Sequence, residues 1–204
     1  GFTNIAGGSC SFVGGGRNNT ATSSTSSIIS GINNLVSANS SFIGAGNSNT
    51  VSSCYSSISG GISNVIESSK STISGGDGNK VCTSSACYSG ILGGRGNIIC
   101  QTYGTISGGY RNCILTGTSS SYGCGFFSFI GGGRTNCTNA RYSTISGGYF
   151  NCTFGGCSII GGGRSNIASG CTSTISGGYK NLTQGSHTFI GGGICNNLCN
   201  STSA

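Results

Sequence analysis

The chain has 204 residues, of which 41 are Gly, and it contains no Pro, Met or Trp. Charged residues make up only 5% of it, with nine basic and two acidic side chains and a formal net charge of +7. Because Glu67 and Asp77 are the only acids, paired-carboxylate catalysis and Asp-rich calcium loops are excluded. His187 is the only histidine and lies in no triad-like context. We therefore expect no enzymatic activity, no cofactor and no metal site.

A unit of 15 residues recurs along the whole sequence, and an apolar β-branched residue, here called the anchor, marks each copy. Nine of the eleven steps between anchors are 15 residues long, and the other two are 18 and 24. Strict periodicity argues against a flexible Gly/Ser linker, and Gly without a period of three excludes collagen. The anchors are Val13, Ile28, Ile43, Ile58, Ile73, Ile91, Ile106, Ile130, Ile145, Ile160, Ile175 and Ile190.

Two positions of the unit never vary. Gly follows every anchor by three residues, which predicts a corner with positive φ or close backbone approach. Asn follows every anchor by six residues, which predicts a stacked ladder whose amides bond the adjoining coil and the turn backbone. The predicted ladder, including a truncated first unit, is Asn4, Asn19, Asn34, Asn49, Asn64, Asn79, Asn97, Asn112, Asn136, Asn151, Asn166, Asn181 and Asn196.

The elements follow one another in a regular order. Residues 1–12 are a partial coil, and insertions are expected near 82–88 and 113–127. In the last part, Ser-Phe/Ile-Ile-Gly-Gly-Gly alternates with Ser-Thr-Ile-Ser-Gly-Gly. A second apolar column lies eight residues after the anchor, so each coil has two short strands and two turns. The sequence predicts an all-β parallel β-solenoid of about thirteen coils, forming one repeat domain over residues 1–204.

The thirteen cysteines indicate an oxidising, extracellular setting, and their odd number leaves at least one unpaired within the chain. Zinc-type spacing is absent. Neighbouring strands are about 4.8 Å apart, which is within disulfide reach for cysteines that share a column. The connectivity stays open, and the candidate pairs are Cys137 with Cys152, Cys82 with Cys100, and Cys113 with Cys124.

Six N-glycosylation sequons occur in the sequence, and three of them begin at ladder positions, where an inward amide could not accept a glycan. The better acceptors are Asn18, Asn39 and Asn200. Coincidence is the alternative, since a chain rich in Asn, Ser and Thr forms sequons freely.

Basic residues are sparse rather than clustered, so no nucleic-acid partner is expected. Several of them share the position four residues after the anchor, where Tyr occurs in other coils. The expected interpretation is a solvated turn column, and a polyanion site is the alternative. This column contains Arg17, Arg95, Arg134 and Arg164 together with Tyr110, Tyr149 and Tyr179.

The run Asn-Ile-Ala-Ser-Gly-Cys-Thr-Ser-Thr-Ile-Ser-Gly-Gly over residues 166–178 resembles the head repeats of YadA-type trimeric adhesins. Similar runs occur in fibres of phages and large viruses, and the resemblance covers essentially the whole chain. It implies a left-handed parallel β-roll in which three chains associate side by side as a homotrimer. Members of this family attach to host surfaces or matrix and are not enzymes.

These observations together predict a structural subunit of an extracellular or virion-surface fibre or filament. Self-association is the expected partnership, as a homotrimer with end-to-end polymerisation as a further option, and no run of 18 apolar residues predicts a membrane span. The alternatives are an adhesin head that binds a receptor, matrix or glycan, and an ice-binding solenoid. Thr72, Thr105, Thr144 and Thr174 share the column that an ice-binding face would need, but Phe12, Phe42, Phe129 and Phe189 interrupt it.

Overall fold

The computed structural model describes residues 1–82, 86–115 and 127–199. Over these residues the chain is an all-β parallel β-solenoid of about twelve coils, without a helix. The residues group into two compact units, Gly1–Ile99 and Cys100–Ala204. The predicted fold class is therefore confirmed. Thirteen coils was one too many, because the truncated first repeat supplies a single strand with no anchor strand before it.

In the unit Gly1–Ile99 every strand is two residues long. Odd-numbered strands form one parallel sheet and even-numbered strands form another. The strands are β1 (Ile5–Ala6), β2 (Phe12–Val13), β3 (Thr20–Ala21), β4 (Ser27–Ile28), β5 (Leu35–Val36), β6 (Phe42–Ile43), β7 (Thr50–Val51), β8 (Ser57–Ile58), β9 (Val65–Ile66), β10 (Thr72–Ile73), β11 (Lys80–Val81), β12 (Gly90–Ile91) and β13 (Ile98–Ile99).

The unit Cys100–Ala204 repeats the same plan within its described residues, with even-numbered strands containing the anchors and odd-numbered strands containing the second apolar column. Its strands are β14 (Thr105–Ile106), β15 (Cys113–Ile114), β16 (Phe129–Ile130), β17 (Cys137–Thr138), β18 (Thr144–Ile145), β19 (Cys152–Thr153), β20 (Ile159–Ile160), β21 (Ile167–Ala168), β22 (Thr174–Ile175), β23 (Leu182–Thr183), β24 (Phe189–Ile190) and β25 (Asn197–Leu198).

Successive coils of each unit are stacked in register. Ile145 pairs with Ile160, for example, so equivalent residues of neighbouring coils form straight columns. A third ladder consists of single β-bridges at the position four residues after the anchor, here called the bridge column. It runs from Phe2 to Arg95 in the first unit and from Tyr110 to Ile194 in the second.

The core is thin and is built mainly from two columns. Anchors such as Ile43 and Ile145 are fully buried, and so are residues of the second column such as Val51 and Ile114. Because strand residues alternate between faces, the residue before each anchor and the one before each second-column residue point outward. Two apolar side chains per coil bury little surface, so the corners must also contribute to stability.

The asparagine ladder secures one corner of each coil. Oδ1 of Asn151 accepts a hydrogen bond from the backbone N–H of Asn166 at 3.0 Å, and its Nδ2 donates to the carbonyl oxygens of Gly147 and Gly163, both at 3.0 Å. One side chain thus satisfies backbone groups in its own coil and the next. Direct amide-to-amide bonds join only some pairs, such as Asn34 to Asn19 at 3.1 Å. The amides therefore act chiefly on the backbone rather than on one another.

The invariant glycine makes room for that amide. Gly148 has a φ of 89°, in the left-handed region that side chains disfavour. A Cβ atom at this position would collide with the carbonyl oxygen of Gly163 and with Nδ2 of Asn151. The glycine and the asparagine therefore depend on each other. The glycine leaves space at the corner, and the asparagine amide occupies that space and hydrogen-bonds the backbone.

Two further corner positions adopt left-handed backbone without needing glycine, which the sequence did not predict. Among the described residues, 22 of the 23 non-glycine residues with positive φ lie either three residues before an anchor or five after it, such as Cys157 (φ 57°) and Phe150 (φ 60°), and Thr3 lies at the equivalent position of the truncated first unit. Their N–H groups bond the preceding coil, as in Phe150 to the carbonyl oxygen of Arg134 at 3.0 Å. Strand N–H groups bond the following coil. This conformation costs about 1–3 kcal/mol per residue, and hydrogen bonding on both sides of the coil holds it in place.

Replacement of a ladder asparagine tests this account. Asn49→Ala removes the acceptor of the Asn64 N–H and the donor to the carbonyl oxygen of Gly61, inside a fully buried corner. We expect the free energy of unfolding to fall by about 1–3 kcal/mol, measured by chemical denaturation. Asn47→Ala, at an exposed position of the same coil, is the control and should change it by less than about 0.5 kcal/mol. Equal stability of the two variants would contradict the role of the ladder.

Candidate functional site

Because the coils are in register, the side chains at each outward position form a column along their unit. Side chains that could bind or react therefore lie together in columns rather than in pockets. Several outward columns hold reactive, aromatic or charged side chains, and three of them are candidates for a functional site. They lie on the odd-strand sheet, on the even-strand sheet and at the bridge column, respectively.

The first is a column of three cysteines on the odd-strand sheet. Cys113 pairs in register with Cys137, and Cys137 pairs with Cys152. Each precedes a buried residue of the second apolar column, so the three thiols share the outer face of the sheet and are half-buried. The name cysteine column refers below to these three residues.

The three thiols of the cysteine column influence one another's pKa values, and the shifts differ in direction. The hydrogen bond with Cys137, together with burial, raises the pKa of Cys113. Hydrogen bonding with Cys113 lowers the pKa of Cys137. Hydrogen bonding with Cys152, together with burial, has the larger combined effect and raises the pKa of Cys137 to about 12. The hydrogen bond from Cys137 lowers the pKa of Cys152. Cys152 is therefore the first thiolate of the column to form as pH rises.

The predicted Cys137–Cys152 disulfide is not formed in the structure, where both residues are thiols. Strand spacing satisfies the Cα criterion, but in-register parallel side chains keep their Cβ atoms near the strand spacing of about 4.8 Å, whereas a disulfide needs about 3.8 Å. Cys82 and Cys100 each come directly after a strand, and each of them is in a disulfide bond. Cys113 is a thiol, and its proposed partner Cys124 lies outside the described residues.

The second column lies on the outer face of the even-strand sheet and is called here the rib column, since phenylalanine rings recur along it. Its phenylalanines are 50%, 36%, 36% and 64% exposed at Phe12, Phe42, Phe129 and Phe189. Each is followed two residues later by a glycine, and a Cβ at Gly131 would meet Cε1 of Phe129 at 3.4 Å. The ring lies over the glycine and covers its bare backbone.

The same coupling explains the alternation of repeat types in the sequence. Where threonine replaces phenylalanine in the rib column, serine replaces the glycine, as in Thr144 and Ser146 or Thr174 and Ser176. In the unit Cys100–Ala204, coils with a bulky rib therefore alternate with coils that have the smaller threonine side chain at this position. The bulky ribs are Phe129, Ile159 and Phe189.

The third column is the bridge column of the unit Cys100–Ala204, where tyrosine and arginine alternate. Arg134 lies over the rings of Tyr110 and Tyr149, with Cζ 5.4 and 5.5 Å from the two ring centroids. Arg164 lies likewise over Tyr149 and Tyr179, at 5.4 and 5.5 Å. Each cation–π contact contributes about 0.5–1 kcal/mol at an exposed site. The name Tyr/Arg ladder refers below to Tyr110, Arg134, Tyr149, Arg164 and Tyr179.

The bridge column of the unit Gly1–Ile99 has a different character, because Arg17 lies between Phe2 and Ile32 and the other two charges, Asp77 and Arg95, are paired. Arg95 Nε lies 3.0 Å from Asp77 Oδ2 in the adjoining coil. Glu67, the other acid of the chain, is paired with Lys80 at 2.9 Å. Neither acid is therefore available to neutralise the Tyr/Arg ladder.

The predicted glycan acceptors separate by exposure. Asn18 and Asn39 lie on exposed corners, whereas the ladder sequons at Asn136, Asn151 and Asn181 are at most 1% exposed. Asn200 lies outside the described residues.

Other sequence candidates do not combine into a site. His187 is exposed at a left-handed corner. Over residues 1–82, 86–115 and 127–199, no three His, Cys, Asp or Glu side chains are grouped to hold a metal ion. No helix in that part of the chain is long and apolar enough to cross a membrane. Neither a protein-family model nor a curated protein sequence matches the chain.

Sequence reasoning grouped the cysteines by pairs and missed that Cys113 belongs to the same column as Cys137 and Cys152. The signal was available: all three lie seven residues after an anchor. It likewise treated the Arg/Tyr stripe as sparse, although within the unit Cys100–Ala204 it alternates without a break.

The opposite pKa shifts of the three thiols predict an order of reactivity. With iodoacetamide near pH 7, Cys152 should be alkylated before Cys113 and Cys137, because its lowered pKa populates the thiolate at lower pH. Peptide mass spectrometry over a time course measures the order. Cys137→Ala removes the thiol that lowers the pKa of Cys152 and should slow the alkylation of Cys152. Alkylation of Cys113 first would contradict the expected order.

Exposure also predicts which sequons can be glycosylated. In material from a glycosylating host, intact-peptide mass spectrometry should find glycan only at exposed sequons such as Asn18 and Asn39. Glycan on Asn151 would require the buried corner to open, so its detection on folded protein would overturn the ladder geometry.

Proposed function

We propose that the chain is a non-enzymatic structural subunit of an extracellular or virion-surface fibre, in which three chains associate side by side. The observation that supports this best is the rib column, an exposed apolar array on a rigid parallel sheet. Exposed apolar arrays of this kind on soluble proteins usually mark an interaction surface.

The energetics favour an extended contact over a local one. Complete burial of a phenylalanine side chain contributes about 1.5–3 kcal/mol, and a half-exposed ring can gain about half of that. Association must overcome about 4–15 kcal/mol of lost translational and rotational freedom. One or two ribs are too few, so a partner that matches the whole column is needed.

A second copy of the chain offers such a match, because its ribs recur at the same spacing. In the unit Cys100–Ala204 the bulky coils are separated by threonine coils, so ribs of one copy can lie in the low coils of another. The resemblance to trimeric adhesin heads supports three copies and a left-handed roll. End-to-end polymerisation remains part of the proposal as a way to lengthen the fibre.

The mechanism is mechanical. Backbone ladders run along the stacked coils, buried asparagines fix their register, and disulfide bonds at Cys82 and Cys100 add covalent restraint. Attachment to a receptor, matrix or glycan is the second candidate function, and the Tyr/Arg ladder is the observation that favours it. Ice binding is disfavoured because exposed rings at Phe12, Phe42, Phe129 and Phe189 interrupt the threonine column.

Removal of two ribs tests the assembly. Light scattering coupled to size-exclusion chromatography at micromolar concentration should report a trimer for the parent chain. Phe129→Thr combined with Phe189→Thr should shift it towards monomer, because two of the three apolar ribs of that unit are lost. Neighbouring coils already have threonine at this position, so the sheet should tolerate the change.

Phe154→Thr is the matched control for this experiment. Phe154 is 50% exposed and follows β19 of the other sheet, so its loss should leave the trimer intact. A parent chain that stays monomeric at micromolar concentration would refute the proposal, and so would equal effects of the rib and control variants.

A further inference from the structure

The Tyr/Arg ladder is an ordered array of positive charge, and it has no acidic partner in the part of the chain that the structure describes. Residues 100–204 contain five basic residues and no acid. Four of the five lie in the bridge column or directly after it: Arg111, Arg134, Arg164 and Lys180. Positive charge is thus concentrated along one corner of this unit.

The ring faces of the ladder are already occupied. Tyr149 has Arg134 on one side and Arg164 on the other. Tyr110 also contacts Arg111 at 5.1 Å, and Tyr179 contacts Lys180 at 5.1 Å. A ligand therefore finds no free aromatic face on which to stack, and nucleic-acid bases, which bind single-strand sites mainly by stacking, are disfavoured.

The edges of the ladder are open. Arg134 and Arg164 are exposed, and over the described residues neither guanidinium has an ion pair or a side-chain hydrogen bond. Contact with a tyrosine in each neighbouring coil restrains each exposed guanidinium, and a guanidinium suits bidentate binding of sulfate or carboxylate. Little side-chain entropy remains to be lost on binding.

The spacing of the charges suits a linear ligand. The two guanidinium groups are two coils apart, about 9–10 Å at the usual strand spacing, and a tyrosine lies between them. A ligand that extends along the coils would present an anionic group to every second coil and hydroxyl groups to the tyrosine between. Sugar chains that bear regularly spaced sulfate or carboxylate groups have this chemistry.

We propose that the Tyr/Arg ladder is a binding site for an anionic polysaccharide, which its guanidinium edges hold through sulfate or carboxylate groups. The site lies at a corner of the coil and not on the rib column, so it does not depend on side-by-side assembly of chains. Its failure and the failure of the fibre proposal are therefore separable, since the first is measured by binding and the second by subunit number.

The test compares immobilised heparin with hyaluronan, neutral dextran and a single-stranded oligothymidine, at about 0.1 M salt where such contacts are measurable. We expect the parent chain to bind heparin, to bind hyaluronan more weakly because it lacks sulfate, and not to bind dextran. Arg134→Gln combined with Arg164→Gln should weaken heparin binding at least tenfold and reduce its dependence on salt.

Matched controls separate the ladder from net charge. Arg141→Gln removes one charge from an exposed position outside the ladder and should weaken binding less than about threefold. Tyr149→Leu keeps the charge but removes the ring shared by both arginines, and should weaken binding more than Tyr142→Leu, at an exposed corner of the same coil. Circular dichroism verifies that each variant is folded.

Three outcomes would overturn the proposal. Absence of heparin binding by the parent chain is the first. A loss with Arg141→Gln that is at least half as large, on a logarithmic scale, as that of the double variant would show general charge attraction instead. Oligothymidine binding as tight as heparin binding, and lost in the same double variant, would assign the ladder to nucleic acid.

Discussion

One asparagine amide per coil does what the short strands alone cannot do. A coil of about 15 residues spends only four of them in strands, so most of its backbone lies in corners whose polar groups need partners. The buried Asn151 amide supplies three of those partners, across its own coil and the next. Without it the corner would hold unpaired groups in a place that water does not reach.

In-register stacking then governs which side chains each column can hold. Identical neighbours about 4.8 Å apart are favourable for isoleucine or asparagine, because apolar contacts and hydrogen bonds repeat at that distance. They are unfavourable for like charges, which helps to explain why charged residues form only 5% of the chain. The cysteine column shows an intermediate case: three equivalent thiols interact and are no longer chemically equivalent.

The sequence predicted the features that depend on repetition. The period, the buried anchors and the corner asparagines all follow from residues that recur in every unit, and Asn151 and Ile145 lie where the pattern placed them. It could not show the left-handed corners occupied by residues as different as Cys157 and Lys180, because hydrogen bonds to neighbouring coils hold that conformation and no residue type marks it.

The disulfide pairing of Cys137 with Cys152 failed for a related reason. The period gives the Cα separation of the two cysteines, but bond formation also depends on how the two side chains point, which the period does not give. The pairing of each rib phenylalanine with a glycine two residues later was visible in the sequence. Its meaning required the ring to be seen over the bare backbone of Gly131.

The Tyr/Arg ladder shows how a stacked fold can hold charge at all. Arginines in consecutive coils would face one another at about 4.8 Å, so the column either pairs opposite charges, as Asp77 and Arg95 do, or separates like charges. Alternation with tyrosine doubles the spacing to about 9–10 Å, close to the Debye length near 0.1 M salt, and gives each arginine two rings. It persists from Tyr110 to Arg134, where the repeat takes its longest step of 24 residues. Serine or asparagine at this position would be enough to keep the corner hydrophilic. Stacking of the coils therefore does not by itself require the alternation of tyrosine and arginine.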